Sequence, residues 1–401
     1  MTTMPGGVTA PAGFRASGVA AGIKPGSTKR DCALIVSDTP AAAAGTFTTN
    51  LFKAPPARWT EDVCRRGLAR AVFVNSGNAN ACTGEAGLAD AQAIAAQVGR
   101  GLAAPEDQVC VLSTGVIGVP LPMDRIGNGV QGCLSALSST GSTEAAVAIM
   151  TTDTVPKETA REVVLEGASV RIGAIAKGSG MIAPNMATMI CIVTTDAPLK
   201  AGPLAELLRA AVNVSFNQMC IDNDTSTSDT VLCLASGAAA VPELVPGSES
   251  FELFGRALTE VCQEMAKALV RDGEGATKFV EIRVCGTETD ADAKAVARAI
   301  ARSQLCKTAF FGQDPNWGRF ACAAGYAGVA FAPNRLCMWI DDVEVMRGGM
   351  PATYEEAEAA ACMQKPEFRI RLDVGEGAGS AVFWTSDLSH EYVTINADYR
   401  T

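Results

Sequence analysis

The chain has 401 residues, 48% of them hydrophobic and 19% charged, with a formal net charge of −10. That composition supplies a large core, excludes disorder, and lacks the basic footprint a nucleic-acid partner would need. One histidine, His390, excludes any site built from several histidines and leaves a Ser-His-Asp triad only that residue to use.

Along the chain, Met1–Phe14 has no basic stretch followed by an apolar one, and the longest apolar run, Met181–Val193, is broken by Pro184 and Asn185. Both features predict no signal peptide, no membrane span and a cytoplasmic protein. Hydrophobic periodicity then predicts a strand at Ala71–Asn75, a helix at Ala86–Leu102 and strands at Val109–Leu112, Val170–Ile175 and Met189–Thr194. A helix at Pro203–Asn213, a strand at Thr230–Leu234, a helix at Glu252–Arg271, a strand at Phe279–Cys285 and a helix at Ala291–Ser303 follow. The last expected elements are a strand at Lys307–Phe311, a helix at Tyr354–Met363 and strands at Arg369–Val374, Ser380–Trp384 and Tyr392–Ile395. This mixed order predicts an α+β fold of packed layers, with its clearest break at Gly178–Asn185. The 14 cysteines form no C-x-x-C pair, and Cys110, Cys191, Cys233, Cys285 and Cys322 read as small core residues in a reducing compartment.

Four polar, glycine-bearing loops adjoin predicted strands: Asn75–Asn80, Leu112–Gly118, Lys177–Thr188 and Arg271–Lys278. Each can be a turn and nothing more, since Gly and Asn supply positive φ. Gly178-Ser179-Gly180 lacks the third glycine of a dinucleotide fingerprint, and Gly273–Lys278 lacks the spacing of a P-loop. Asp222–Thr230 lacks the glycine and glutamate of a calcium loop; Asp222 and Asp224 could hold magnesium in a phosphotransferase, or the stretch is a hydroxyl-rich turn.

Thr188 stands where the third loop enters the apolar run Met189–Val193. Cutting Ala187–Thr188 would give Thr188 a free α-amine, whose pKa of about 7.7–8.0 suits a general base without histidine. On spacing alone, an ordinary structural threonine is the favoured reading.

The stretch Lys177–Thr188, running into Met189, resembles the self-cleavage site of the glutamate N-acetyltransferase family, also called ornithine acetyltransferases. Matching stretches in the same order are Asn75–Asn80, Ser113–Gly118, Met150–Thr154, Ser215–Asn217, Asp224–Thr227, Asp272–Lys278, Asp314–Arg319 and Asn396–Tyr399. The resemblance implies a layered sandwich of β-sheets flanked by helices, similar to N-terminal nucleophile enzymes with its own connectivity. It implies self-cleavage at Ala187–Thr188 into an α chain, 1–187, and a β chain, 188–401, assembled as α2β2. It further implies Thr188 as the nucleophile that takes acetyl from N2-acetyl-ornithine and passes it to glutamate, with Thr114 and Gly115 as the oxyanion-hole pair. Thr151, Lys177, Thr188, Glu274, Asn396 and Thr401 match the substrate-contacting positions; no metal or cofactor is implied. Some members of the family also accept acetyl-CoA as donor. The rival reading on the same nucleophile is an amidohydrolase or aminopeptidase that passes the acyl group to water.

Overall fold

The computed structural model describes residues 1–24, 26–183 and 189–398. Its strands are Thr2–Met4 (β1), Phe14–Val19 (β2), Cys32–Phe47 (β3), Leu68–Asn78 (β4), Val109–Val116 (β5), Lys157–Leu165 (β6), Ala168–Lys177 (β7) and Ile190–Thr195 (β8). Then come Met219–Cys220 (β9), Thr230–Ala235 (β10), Phe279–Thr287 (β11), Cys337–Ile340 (β12), Val343–Arg347 (β13), Met350–Pro351 (β14), Glu367–Asp373 (β15) and Gly379–Ser386 (β16). The α-helices are Pro55–Arg66 (α1), Gly84–Leu102 (α2), Met123–Ser135 (α3), Ser142–Ala148 (α4), Ala201–Asn213 (α5) and Glu249–Arg271 (α6). Asp290–Arg302 (α7), Gln304–Gly312 (α8), Trp317–Gly325 (α9), Glu356–Gln364 (α10) and His390–Asp398 (α11) complete them.

The first sheet runs β1-β6-β7-β8-β10-β3-β4-β5, with β2 also paired to β3. Its pairs are antiparallel except β8–β10 and β4–β5. The pairing of β3 with β4 shifts register between Val36 and Ala41, and beyond that break β3 pairs with β10. Side chains then segregate by the two-residue period of a strand. Val72, Val74, Cys110 and Leu112 share one core cluster with Ile190, Ile192, Leu232 and Leu234, so the two halves of the sheet pack face to face. Their alternate neighbours point outward: Cys191, Val193, Val231 and Cys233 against α5 and α6, and Ala71, Phe73, Val109 and Val111 against α2 and α3. Burial on both faces explains why these strands read as unbroken apolar runs.

A second sheet, β14-β13-β12-β15-β11-β16-β9, is covered by α7 to α10 over a separate core, and Trp384 and Phe279 join it to the core of α5 and α6. The expected α+β layering is therefore present. Among the described residues no helix is long and apolar enough to cross a membrane.

Two expected strands are helices. Lys307–Phe311 lies within α8, whose N-terminus is capped by Ser303 Oγ accepting from Cys306 N–H, and whose buried Cys306, Ala309 and Phe310 recur at helical spacing. Tyr392–Ile395 lies within α11; Tyr392 and Ile395, three apart, are its half-buried residues, whereas a strand would have paired Tyr392 with Thr394. Short β-branched or apolar runs do not separate the two periods. The expected cysteine burial holds for Cys110, Cys191 and Cys233, but Cys285 is half-buried and Cys322 exposed on α9.

Candidate active site

The fold over β3 brings the C-terminal end of β5, in one half of the sandwich, against the C-terminal end of β7, in the other. Thr114 and Gly115 sit on β5 and Lys177 ends β7, and all three line one pocket with Thr151, Glu274 and Asn396. Every matched site residue within the described part of the chain is in this pocket. Ala187, Thr188 and Thr401 lie outside the described residues.

Gly115 has φ +131°, and a Cβ there would meet the Gly77 carbonyl carbon at 2.4 Å and Asn78 N at 2.6 Å, so the close approach of β4 and β5 requires glycine. Beside it, Thr114 is 2% exposed and its Oγ1 accepts from Lys177 Nζ at 3.3 Å. With a lone pair engaged by the ammonium, the hydroxyl is left to donate into the pocket.

Lys177, itself 2% exposed, belongs to a buried charge network. Asp153 Oδ1 accepts from Lys157 Nζ and from Gly178 N–H, each at 2.7 Å, and Asp153 Oδ2 accepts from Thr151 N–H at 3.1 Å. Lys157 also reaches Asp272 at 2.5 Å. Burial pushes the Lys177 ammonium below the usual lysine range, against the opposing pull of Asp153. Burial also works to raise Asp153, but Lys177 and Lys157 outweigh it and hold that carboxyl below the usual range.

Glu274 enters from the loop after α6. Its N–H donates to Ser179 O at 2.7 Å, and its Oε2 accepts from Asn396 Nδ2 at 2.8 Å. Gly180 lies against it: a Cβ there would fall 2.4 Å from Glu274 Oε2. The Glu274 loop is fixed from the second sheet, where Asp387 accepts from the N–H groups of Thr277 and Lys278 at 2.8 and 3.0 Å. The remaining wall is rich in hydroxyls, from Thr152, Ser226, Thr227 and Ser228.

Asp222 does not present a metal-binding face. Its carboxylate accepts from Met181 N–H at 2.5 Å, Ile182 N–H at 2.8 Å and Tyr392 Oη at 3.3 Å, so it fixes the segment leading to residue 184, while Asp224 is exposed. Burial raises the Asp222 pKa to about 6. The magnesium phosphotransferase built on these two aspartates is set aside. Asp153, Asp229 and Asp387 were not singled out from the sequence as site residues. Asp153 stands in the family-matched stretch Met150–Thr154 and Asp229 in the acidic, hydroxyl-rich stretch Asp222–Thr230, but only the fold shows which of those side chains turn inward.

The ArgJ family model matches residues 15–401. The chain belongs to the ArgJ family. It is 50% identical over 402 residues, covering 100% of each chain, to the arginine biosynthesis bifunctional protein ArgJ of Symbiobacterium thermophilum. To the protein of the same name from Geobacter sulfurreducens it is 49% identical over 391 residues, 97% of this chain and 99% of the relative. Among solved structures, the arginine biosynthesis bifunctional protein ArgJ of Bacillus halodurans matches with a TM-score of 0.51 and 39% identity, over 52% of this chain and 98% of that one. The ArgJ assignment agrees with the family expected from the loops around Thr114, Lys177 and Glu274.

Proposed function

We propose that this ArgJ-family chain is an acetyltransferase of arginine biosynthesis that moves acetyl from N2-acetyl-ornithine to glutamate through an acetyl-Thr188 intermediate. The observation that carries this reading is the convergence of Thr114, Gly115, Lys177 and Glu274 in one pocket, which Ser226–Ser228 also line, next to Asp229 and the start of β8. Relatives of near-identical length named for arginine biosynthesis support the pathway.

In this reading the precursor cuts itself at Ala187–Thr188. The solved Bacillus halodurans chain is matched over 98% of its length by only 52% of this one, as a chain cut near its middle would be. Residues 1–187 carry β7 and residues 188–401 carry β8, and those two strands pair from Lys177↔Ile190 to Ile172↔Thr195. The fragments would share one sheet and remain together as the α/β pair, two of which form α2β2 in the cytoplasm.

Thr188 Oγ attacks the acetyl carbonyl while its own α-amine takes the proton. The Thr114 hydroxyl and Gly115 N–H receive the developing oxyanion. Lys177 pairs with the α-carboxylate common to both substrates. Glu274 faces the ammonium tail of ornithine, and the hydroxyls of Thr152 and Ser226–Ser228 accommodate the anionic tail of glutamate, which a fixed charge alone would reject. Asn396 orients Glu274; Thr151 and Thr401 complete the substrate contacts. Acetyl-CoA is a second donor for the same nucleophile, in keeping with the word bifunctional in the relatives' names.

The competing outcome is transfer to water. Ornithine release from N2-acetyl-ornithine is expected to depend on added glutamate and to match N-acetylglutamate formation one for one. Equal release without glutamate would make the chain an amidohydrolase.

A further inference from the structure

A cavity of about 510 Å³ opens beside the catalytic pocket, and Thr151 lines both. The pocket itself holds only about 90 Å³, room for the reacting end of a donor but not for a nucleotide. Val147 and Met150 give the larger cavity apolar surface, and Lys24, Lys29 and Arg30 bring it cations. The carboxylates on its wall are already engaged. Asp31 accepts from Ala21 N–H at 2.6 Å and from Ile23 N–H at 2.7 Å, one on each oxygen. Asp153 is occupied by Lys157, Gly178 and Thr151. Lys29 and Arg30 are exposed, so an anion entering the cavity meets their charge.

We propose that this cavity binds the phosphates of acetyl-CoA, with Lys29 and Arg30 as phosphate ligands and Thr151 at the passage to the catalytic pocket. The site rests on the reading above in which acetyl-CoA is a second donor. The strand register sets the span. Thr114 on β5 pairs with Ser76 on β4, and Ser76 N–H donates to the carbonyl of Asp31, next to Arg30, at 2.9 Å. Two strand spacings, about 10 Å, therefore separate the backbone at Thr114 from the backbone beside Arg30. The arm between the sulfur and the phosphates of CoA has about a dozen bonds, as many as about four extended residues, or about 13–14 Å. A thioester at Thr114 and Gly115 thus brings the pyrophosphate within side-chain reach of Lys29 and Arg30. Arginine offers phosphate a fork of N–H donors, and lysine a mobile point charge. Neighbouring recesses fit less well. The one at Arg271 turns Glu158, Glu264 and Asp272 toward an anion, and the one at Arg283 shares no residue with the catalytic pocket.

The transfer balances with the two substrates alone. The acetyl carbon leaves sulfur for the hydroxyl oxygen of the nucleophile, and the departing thiolate takes the proton that this oxygen sheds. The glutamate nitrogen then displaces the oxygen, which recovers a proton from that amine.

The test compares three donors in wild type and a Lys29→Gln/Arg30→Gln variant. They are acetyl-CoA, N2-acetyl-ornithine, and S-acetyl-N-acetylcysteamine, which keeps the thioester but has no phosphates. In the variant kcat/KM for acetyl-CoA is expected to fall about 10²-fold, about tenfold for each charged hydrogen bond lost, with the other donors within about twofold of wild type. In wild type, KM for acetyl-CoA should rise several-fold between about 0.05 and about 0.5 M salt, and KM for the truncated thioester should not. A variant unchanged toward acetyl-CoA, or one that loses the truncated thioester equally, would overturn the proposal. So would a wild-type enzyme that uses N2-acetyl-ornithine but not acetyl-CoA, a result that leaves the transferase reading standing. A wild type inert toward every donor would instead remove that reading, and this site with it.

Discussion

Thr114→Val is expected to lower kcat about 10²–10³-fold while leaving KM for N2-acetyl-ornithine within about twofold, the effect typical of losing one oxyanion-hole donor. Valine keeps the branched shape of this buried residue, so packing on β5 survives and only the hydroxyl is lost. That hydroxyl is oriented by the 3.3 Å hydrogen bond from Lys177 Nζ, which occupies an oxygen lone pair and leaves the proton for the substrate. The split between kcat and KM decides the role, because a donor that meets charge only in the transition state does not help hold the ground-state amide. A rise in KM at unchanged kcat would move Thr114 to substrate binding.

Lys177→Met is expected to reduce kcat/KM for both substrates by about 10²-fold or more, since truncating one member of a buried, hydrogen-bonded charge set costs roughly 2–5 kcal/mol. Both substrates carry an α-carboxylate, so both should suffer, unlike a lesion at Glu274, which should fall on the ornithine side. Titration gives a second check. The Lys177 ammonium is held below the ordinary lysine pKa of 10.5, because burial disfavours its charged form. Its charge is therefore lost as pH rises through that lowered value, and the alkaline limb of activity should arrive before pH 10.5. The same sign governs stability: the folded state disfavours the protonated form, so the burden of burying this charge eases above the folded-state pKa. Steady-state kinetics across pH test both points, and equal kinetics in the variant would remove Lys177 from the site.

The candidate site was legible through the resemblance of whole loops, which matched Thr114, Gly115, Lys177 and Glu274, residues that the fold brings to one pocket. The fold then supplies the physical reasons: Gly115 sits where β4 and β5 nearly touch, and Lys177 ends β7, two residues beyond the expected strand. The layered character was legible too, since β8 and β10 are apolar on both faces. What the sequence hid was long-range. Cys32–Phe47 was not among the expected strands, yet as β3 it pairs with β4 and, past the register break between Val36 and Ala41, with β10. The buried roles of Asp153, Asp229 and Asp387 depend on N–H groups 25, 40 and 110 residues away, which no local pattern reports. The two helical segments expected as strands, Lys307–Phe311 and Tyr392–Ile395, were misread for a local reason: four or five residues contain too little of either period.

The measurement that bears most directly on Thr188 as an N-terminal nucleophile is the denatured intact mass of the purified chain beside a Thr188→Ala variant. Two fragments in the wild type, one beginning at Thr188, and a single uncut, inactive chain in the variant are predicted. A wild-type chain that stays whole and still transfers acetyl would contradict the mechanism.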